Sequence, residues 1–74
     1  MKTYFICFYE RENANSKWQS VSTEEWPEED VRGRFMEVCS ASFHTANDLK
    51  IEWQESSDFG KTTKVIGRFQ IPAL

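Results

Sequence analysis

The sequence predicts an α+β domain in which two β-hairpins flank one amphipathic helix, in the order β-β-α-β-β. The strands are expected to form a four-stranded antiparallel sheet with the helix packed on one face. Three observations lead to this prediction: a run of strand-forming residues from Tyr4 to Tyr9, an apolar pattern of helical period after Pro27, and an apolar/polar alternation from Leu49 to Gln54.

The first hairpin is predicted within the first 22 residues. The nearly continuous apolar run suits a central strand, which we place at about residues 2–11. The segment Glu12–Ser16 contains two asparagines and indicates a turn. Lys17–Ser22, with Trp18 and Val21, is predicted to be the second strand.

The helix is predicted to begin at Pro27. A residue that precedes proline is disfavoured in the α region, so Trp26 should lie outside the helix, whereas proline suits the first helical position. Gly33 weakens the helix by about 1 kcal/mol relative to alanine. The residues expected to face the sheet are Val31, Phe35, Val38 and Cys39.

The second hairpin follows a segment without clear period, Ser40–Asp48, which we predict to be a loop; the alternatives are a short edge strand and a frayed extension of the helix. Leu49–Gln54 has the alternation of a half-buried strand. Ser56–Lys61 is predicted to be a turn in which Gly60 supplies a positive φ. Thr62–Ile71 is the last predicted strand. The residues expected on one side of it are Val65, Phe69 and Ile71.

Size and charge limit the functions that the chain can have. Its 74 residues suffice for one domain, residues 1–74, with a small core. The net charge of −3 disfavours a partner bound mainly through its phosphates, because such binding requires a basic surface. The N-terminal residues lack a signal-peptide pattern, and no apolar stretch of about 20 residues occurs, so we expect a cytoplasmic protein without membrane contact.

Two cysteines, Cys7 and Cys39, are too few for the disulfide framework of a small secreted domain. We therefore predict that both are buried thiols in a reducing compartment. The alternative is one disulfide between the first strand and the end of the helix, which requires Cα atoms within about 7 Å of each other.

No motif in the sequence predicts catalysis or a cofactor. The tripeptide Gly-Lys-Thr at 60–62 matches the end of a phosphate-binding loop, but Glu55 stands where that motif requires its first glycine, and the following residues favour a strand. Cys39 and His44 lack a third group to orient them as nucleophile and base, and the spacing of these residue types is not that of a zinc site. We expect no enzyme activity, no metal and no cofactor.

One alternative function uses the sheet face that the helix leaves uncovered. Aromatic side chains there would stack on unpaired bases while basic side chains contact the phosphates, as in single-stranded nucleic-acid-binding domains. The residues considered for this surface are Tyr4, Phe8, Trp18, Trp53 and Phe69, beside Lys50, Lys64 and Arg68. The sequence contains no RNA-binding signature that would strengthen this alternative.

The leading functional prediction depends on an acidic run around Trp26. Five of the seven residues from Glu24 to Asp30 are acidic, whereas the residues beyond Asp58 carry only positive charge. The alternative is that these carboxylates only cap the helix dipole and keep the protein soluble. The predicted partner-binding residues are Glu24, Glu25, Trp26, Glu28, Glu29 and Asp30.

A negative surface with tryptophan at its centre also fits a basic groove on another protein, because tryptophan is enriched at binding hot spots and charge steers the encounter. We therefore predict a non-catalytic protein-binding module. It would be a small regulator or inhibitor, of phage or mobile-element origin, that occupies the nucleic-acid path of a larger basic protein. The sequence leaves the partner's identity and the oligomeric state open, a homodimer included.

Overall fold

Four strands and one helix make up the part of the chain that the structure describes. The structure is a computed structural model and describes residues 2–41 and 47–72. The elements are β1 Thr3–Arg11, β2 Gln19–Trp26, α1 Glu28–Ala41, β3 Asp48–Ser56 and β4 Lys64–Ile71. The strands form an antiparallel sheet in the order β2-β1-β3-β4, and α1 packs against β1 and β3, which confirms the predicted α+β fold.

Pro27 marks the start of the helix as predicted, but it lies just before the first helical residue, Glu28, and not at the first helical position. The carbonyl oxygen of Pro27 accepts hydrogen bonds from the backbone N–H groups of Asp30 and Val31, each at 3.0 Å. The predicted apolar stripe is also confirmed, because Val31 and Val38 are buried and Phe35 and Cys39 pack against the core.

The hydrophobic core lies between the helix and the side of the sheet that it covers, which we call the helix side. Alternate residues of β1 and β3 contribute to it, and Ile6 and Ile51 are fully buried there. The buried cluster consists of Tyr4, Ile6, Val31, Val38 and Ile51, with Phe8, Trp26, Phe35, Cys39, Leu49, Trp53 and Phe69 around it.

The opposite side of the sheet, which we call the open side, has no second layer among the described elements. Even so, Cys7, Glu52, Gln54 and Ser56 are buried there. The carboxylate of Glu52 accepts hydrogen bonds from Gln54 at 2.8 Å and from Arg68 at 3.1 Å. Polar side chains that bind one another therefore close this side of the sheet.

The two cysteines lie on different sides of the sheet. Cys7 is in β1, opposite Thr23 and Glu52 on the open side, whereas Cys39 is in α1 and packs against the core. Both are free thiols in the structure, but only Cys7 is buried as predicted, whereas Cys39 is half-buried. The structure therefore contradicts the alternative of a disulfide between them.

The second strand lies further along the chain than the sequence predicts. The predicted strand was Lys17–Ser22, whereas β2 begins at Gln19 and continues to Trp26, which pairs with Tyr4. Glutamate has a low strand propensity, but pairing with the central strand β1 overrides it. The first part of the acidic run is therefore strand.

The predicted loop Ser40–Asp48 is wrong at both ends. The helix continues to Ala41 and β3 already begins at Asp48. The middle of that loop, residues 42–46 with Phe43 and His44, lies outside the described residues. The last two helical residues, Ser40 and Ala41, are exposed, so the apolar period, which ends at Cys39, does not identify them.

The prediction for the last strand is correct for Phe69 and wrong for Val65. Phe69 pairs with Ile51 on the helix side, but Val65 pairs with Gln54 on the open side. A register shift between Trp53 and Gln54 inserts one residue into β4 and reverses the side that its first residues face. The strand also begins at Lys64, two residues later than predicted.

Candidate functional site

The acidic run crosses the junction between β2 and α1. Glu24 and Glu25 are consecutive strand residues, so their side chains point to opposite sides of the sheet. Glu28, Glu29 and Asp30 form the first turn of α1. The structure thus divides the predicted partner-binding residues between the end of a strand and the start of a helix.

Glu24 is neutralised by an arginine of the helix. Its two carboxylate oxygens accept hydrogen bonds from Nε and Nη2 of Arg34, each at 2.9 Å. The indole N–H of Trp26 donates to the same carboxylate at 2.8 Å. These bonds, first those from Arg34, hold the pKa of Glu24 below its usual value. The contacts join β2 to α1 and remove Glu24 from the negative surface.

Trp26 is not the free aromatic anchor that the sequence suggests. Its ring is half-buried and packs against the core on the helix side. The guanidinium of Arg34 lies over the ring, 5.7 Å from the centroid, and also donates to Glu37. Trp26 therefore supports the junction and exposes only part of its ring.

Four acidic residues of the run remain exposed, and we call them the acidic surface: Glu25, Glu28, Glu29 and Asp30. None of them forms an ion pair with a residue that the structure describes. The N-terminus of α1 favours carboxylates in its first turn, but Glu25 is a strand residue outside that turn. Because Glu25 faces the open side, the acidic surface extends from the start of α1 to that side of the sheet, further than the helix dipole requires.

The β3–β4 hairpin lies at the same end of the sheet as the acidic surface. Trp26 pairs with Tyr4, Tyr4 with Glu55, and Glu55 with Lys64, so these residues form one row across the sheet. With neighbouring strands about 4.8 Å apart, Trp26 and Lys64 are about 14 Å apart. The hairpin turn, residues 57–63, continues beyond this row, as does the start of α1.

An exposed phenylalanine stands at the tip of this hairpin, and the sequence interpretation did not single it out. Phe59 is 89% exposed and has a φ of 60°, and Gly60 follows with a φ of 89°. Glycine adopts such a backbone freely, which confirms the predicted turn, but a non-glycine residue in this conformation costs about 1 to 3 kcal/mol. The signal in the sequence is the bulky residue immediately before the turn glycine.

Most of the aromatic residues considered for nucleic-acid binding are on the wrong side of the sheet for that function. Tyr4 belongs to the buried core, and Phe8, Trp53 and Phe69 pack against it on the helix side. The sequence could not assign these side chains, because the covered side depends on where the helix packs.

On the open side, basic side chains of the same chain already lie over the rings of Trp18 and Tyr9. The guanidinium of Arg11 lies 4.2 Å from the centroid of the Trp18 ring, and Lys50 Nζ lies 4.8 Å from the centroids of both rings. Arg11 also donates to Asp48 at 3.0 Å. These cation–π contacts occupy ring surface that base stacking would require.

The remaining motifs form no additional site among the described residues. No group of three histidine, cysteine, aspartate or glutamate side chains in residues 2–41 and 47–72 could hold a metal ion. Burial raises the pKa of the Cys39 thiol, and its proposed base, His44, lies outside the described residues. The Gly-Lys-Thr tripeptide at 60–62 leads into β4 and not into a helix, as predicted.

No helix in the described part of the chain has the length and apolar character required to span a membrane. Comparison with protein-family models, with curated proteins and with solved structures gives no match.

Proposed function

We propose that this chain is a non-catalytic protein-binding module whose acidic surface binds a basic surface on another protein. The observation that carries the proposal is the set of four exposed carboxylates without an ion-pair partner among the described residues. A partner that handles nucleic acid fits this chemistry, because its basic groove is built to accept negative charge. The module would then act as a regulator or inhibitor of that protein.

The junction beneath the acidic surface supports this proposal. The Glu24–Arg34 ion pair and the hydrogen bond from Trp26 hold β2 and α1 together at the junction that carries the exposed carboxylates. A surface that is ordered before binding loses less conformational entropy in the complex, so the same contacts give a higher affinity.

Direct binding to nucleic acid is less consistent with the structure. Exposed carboxylates repel phosphates, and only Trp18 of the five aromatic residues considered lies outside the core cluster. Lys50 and Arg68, two of the three basic residues considered, contact Glu52 of the same sheet.

A matched pair of charge reversals tests the proposal. The variant Glu28→Lys/Glu29→Lys changes the acidic surface, and the control Glu10→Lys/Glu12→Lys makes the same charge change at exposed positions near the opposite end of β1. Both proteins, with the wild type, are used as bait in extracts of the native host, and bound proteins are quantified by mass spectrometry. We expect one large basic protein to bind the wild type and the control but not the first variant.

Circular dichroism of each bait provides the folding control, because lysine in the first helical turn opposes the dipole by about 0.3 to 1 kcal/mol per site. Equal capture by a folded Glu28→Lys/Glu29→Lys variant contradicts the proposal. Salt-dependent binding of a labelled single-stranded oligonucleotide by the wild type would favour the nucleic-acid alternative instead.

A further inference from the structure

A network of hydrogen bonds orders the turn of the β3–β4 hairpin, at which Phe59 is exposed to solvent. The backbone N–H of Gly60 donates to Ser56 Oγ at 2.8 Å, and the Ser56 hydroxyl donates to Asp58 Oδ1 at 2.7 Å. Both the backbone N–H and the hydroxyl of Thr62 donate to the carboxylate of Asp58. These bonds, those from Thr62 first, lower the pKa of Asp58 to about 2, so the carboxylate stays ionised at neutral pH.

The turn also rests on the open side of the sheet. A Cβ placed on Gly60 would lie 3.6 Å from the ring of Phe5, so the backbone of the turn is supported by that ring. Phe59, the neighbouring residue, is directed away and is the most exposed large hydrophobic residue among those described. The hydrogen bonds order the backbone of the turn, so the phenylalanine projects from a fixed backbone position.

The charges that follow Phe59 in the hairpin are basic, whereas the carboxylate of Asp58 before it is hydrogen-bonded within the turn. Lys61 and Lys64 are exposed, and neither forms an ion pair with a residue in the described part of the chain. The acidic surface lies on the other corner of the same end: Trp26, which belongs to the acidic run, and Lys64 are about 14 Å apart across three strand spacings. A standard interface covers about 800 Å² on each partner, which is wide enough to include both corners.

We infer that Phe59 is an anchor of the same interface: its ring inserts into an apolar pocket on the protein that binds the acidic surface. The pocket is rimmed by carboxylates that face Lys61 and Lys64, while a basic patch faces the acidic surface. This inference rests on the proposed function and adds the aromatic hot spot that Trp26, packed against the core, does not provide.

A protein pocket fits these observations better than a lipid surface. A phenylalanine followed by two lysines, Lys61 and Lys64, also suits the interface of an anionic membrane. However, the net charge of −3 and the four carboxylates at the same end oppose approach to anionic lipid. A membrane is therefore an alternative outcome of the test.

Photocrosslinking in the native host distinguishes these possibilities. The photoreactive residue p-benzoylphenylalanine replaces Phe59, Glu29 or, as a control on the exposed face of α1, Met36 in the full chain. We expect positions 59 and 29 to crosslink to one and the same protein and position 36 to crosslink to none. Mass spectrometry should place the crosslink of position 59 in a peptide with apolar and acidic residues.

Each other result has a defined meaning. A protein crosslinked from position 29 but not from position 59 overturns the inference and leaves the proposed function standing. Crosslinks from position 59 only to lipid, or only to a different protein, also overturn the inference. The absence of crosslinks at both positions contradicts the inference and the proposed function together.

A substitution that preserves the turn provides the quantitative test. Asparagine tolerates a positive φ better than phenylalanine, so Phe59→Asn should leave the melting temperature unchanged or raise it. Its affinity for the crosslinked protein, once purified, should fall by about tenfold or more. The control Val21→Asn removes an exposed apolar side chain of β2 and should change the affinity by less than about twofold. Wild-type affinity in Phe59→Asn would overturn the inference.

Discussion

On the helix side of the sheet, Ile6 and Ile51 are buried under α1, whereas on the open side the residues that follow them, Cys7 and Glu52, are almost equally buried with no helix above. On the helix side, packed apolar side chains exclude water from the sheet. The open side excludes it with long side chains that lie along the sheet, chiefly Lys50 and Arg68, whose charges meet the carboxylate of Glu52.

This difference shows how a sheet with a single helix hides its second face. Burial of a polar group is costly unless the group finds partners, and on the open side Glu52 has Gln54, Arg68 and Lys50 within bonding or ion-pair distance. On the helix side the situation is reversed. There the indole N–H of Trp53 is buried without a hydrogen-bond partner among the described residues. On this side, close packing of the apolar ring is kept at the cost of one hydrogen bond.

The largest effect is expected on the helix side. Phe35 packs against Trp53 with ring centroids 5.9 Å apart, and Phe35→Ala should lower the free energy of unfolding by about 3 kcal/mol because it leaves a cavity. Denaturant unfolding measures the change. The open-side comparison is Arg68→Ala, which should cost about 1 kcal/mol or less because the arginine is half-exposed. Equal losses in the two variants would contradict the difference between the sides.

Substitution of two glycines by alanine should change the free energy of unfolding by an intermediate amount, in opposite directions for the two positions. A Cβ at Gly67 would lie 3.3 Å from Phe35 and 3.4 Å from Trp53, so Gly67→Ala should destabilise the domain by about 1 to 2 kcal/mol through overpacking. A Cβ at Gly33 meets no atom within 4 Å, and Gly33→Ala should stabilise the helix by up to about 1 kcal/mol. Thermal unfolding of both variants gives the comparison, and a stabilised Gly67→Ala would mean that the helix side is loosely packed.

The smallest effect is one of reactivity. Burial raises the pKa of the Cys7 thiol, although hydrogen bonds with Thr23 and Tyr9 oppose the shift, and burial also raises the pKa of Cys39. Both thiols should react slowly with iodoacetamide at pH 8 in the native protein, with Cys39 modified before the more buried Cys7. Peptide mass spectrometry follows each site. Faster modification of Cys7 would show that the open side is accessible to solvent.

In denaturant, both thiols should be alkylated completely without prior reduction. Fewer than two free thiols in that experiment would contradict the expectation of a reducing compartment.

Local signals were sufficient for the type and order of the elements. The stripe of Val31, Phe35 and Val38 and the positive φ of Gly60 each depend on a few neighbouring residues and are predicted correctly. The start of the helix is predicted to within one residue for the same reason. The extent of β2 and the side that Val65 faces depend on pairing with distant strands, and both predictions were wrong.

The candidate site shows the same division. The sequence by itself determined that a dense acidic run precedes and enters the helix, because charge and helix-start signals are local. Only the tertiary structure decided that Arg34 neutralises Glu24, that Trp26 packs against the core, and that Phe59 is the aromatic residue left in solvent at that end. These properties depend on which residues of separate elements meet, and strand pairing and helix packing determine that only when the chain has folded.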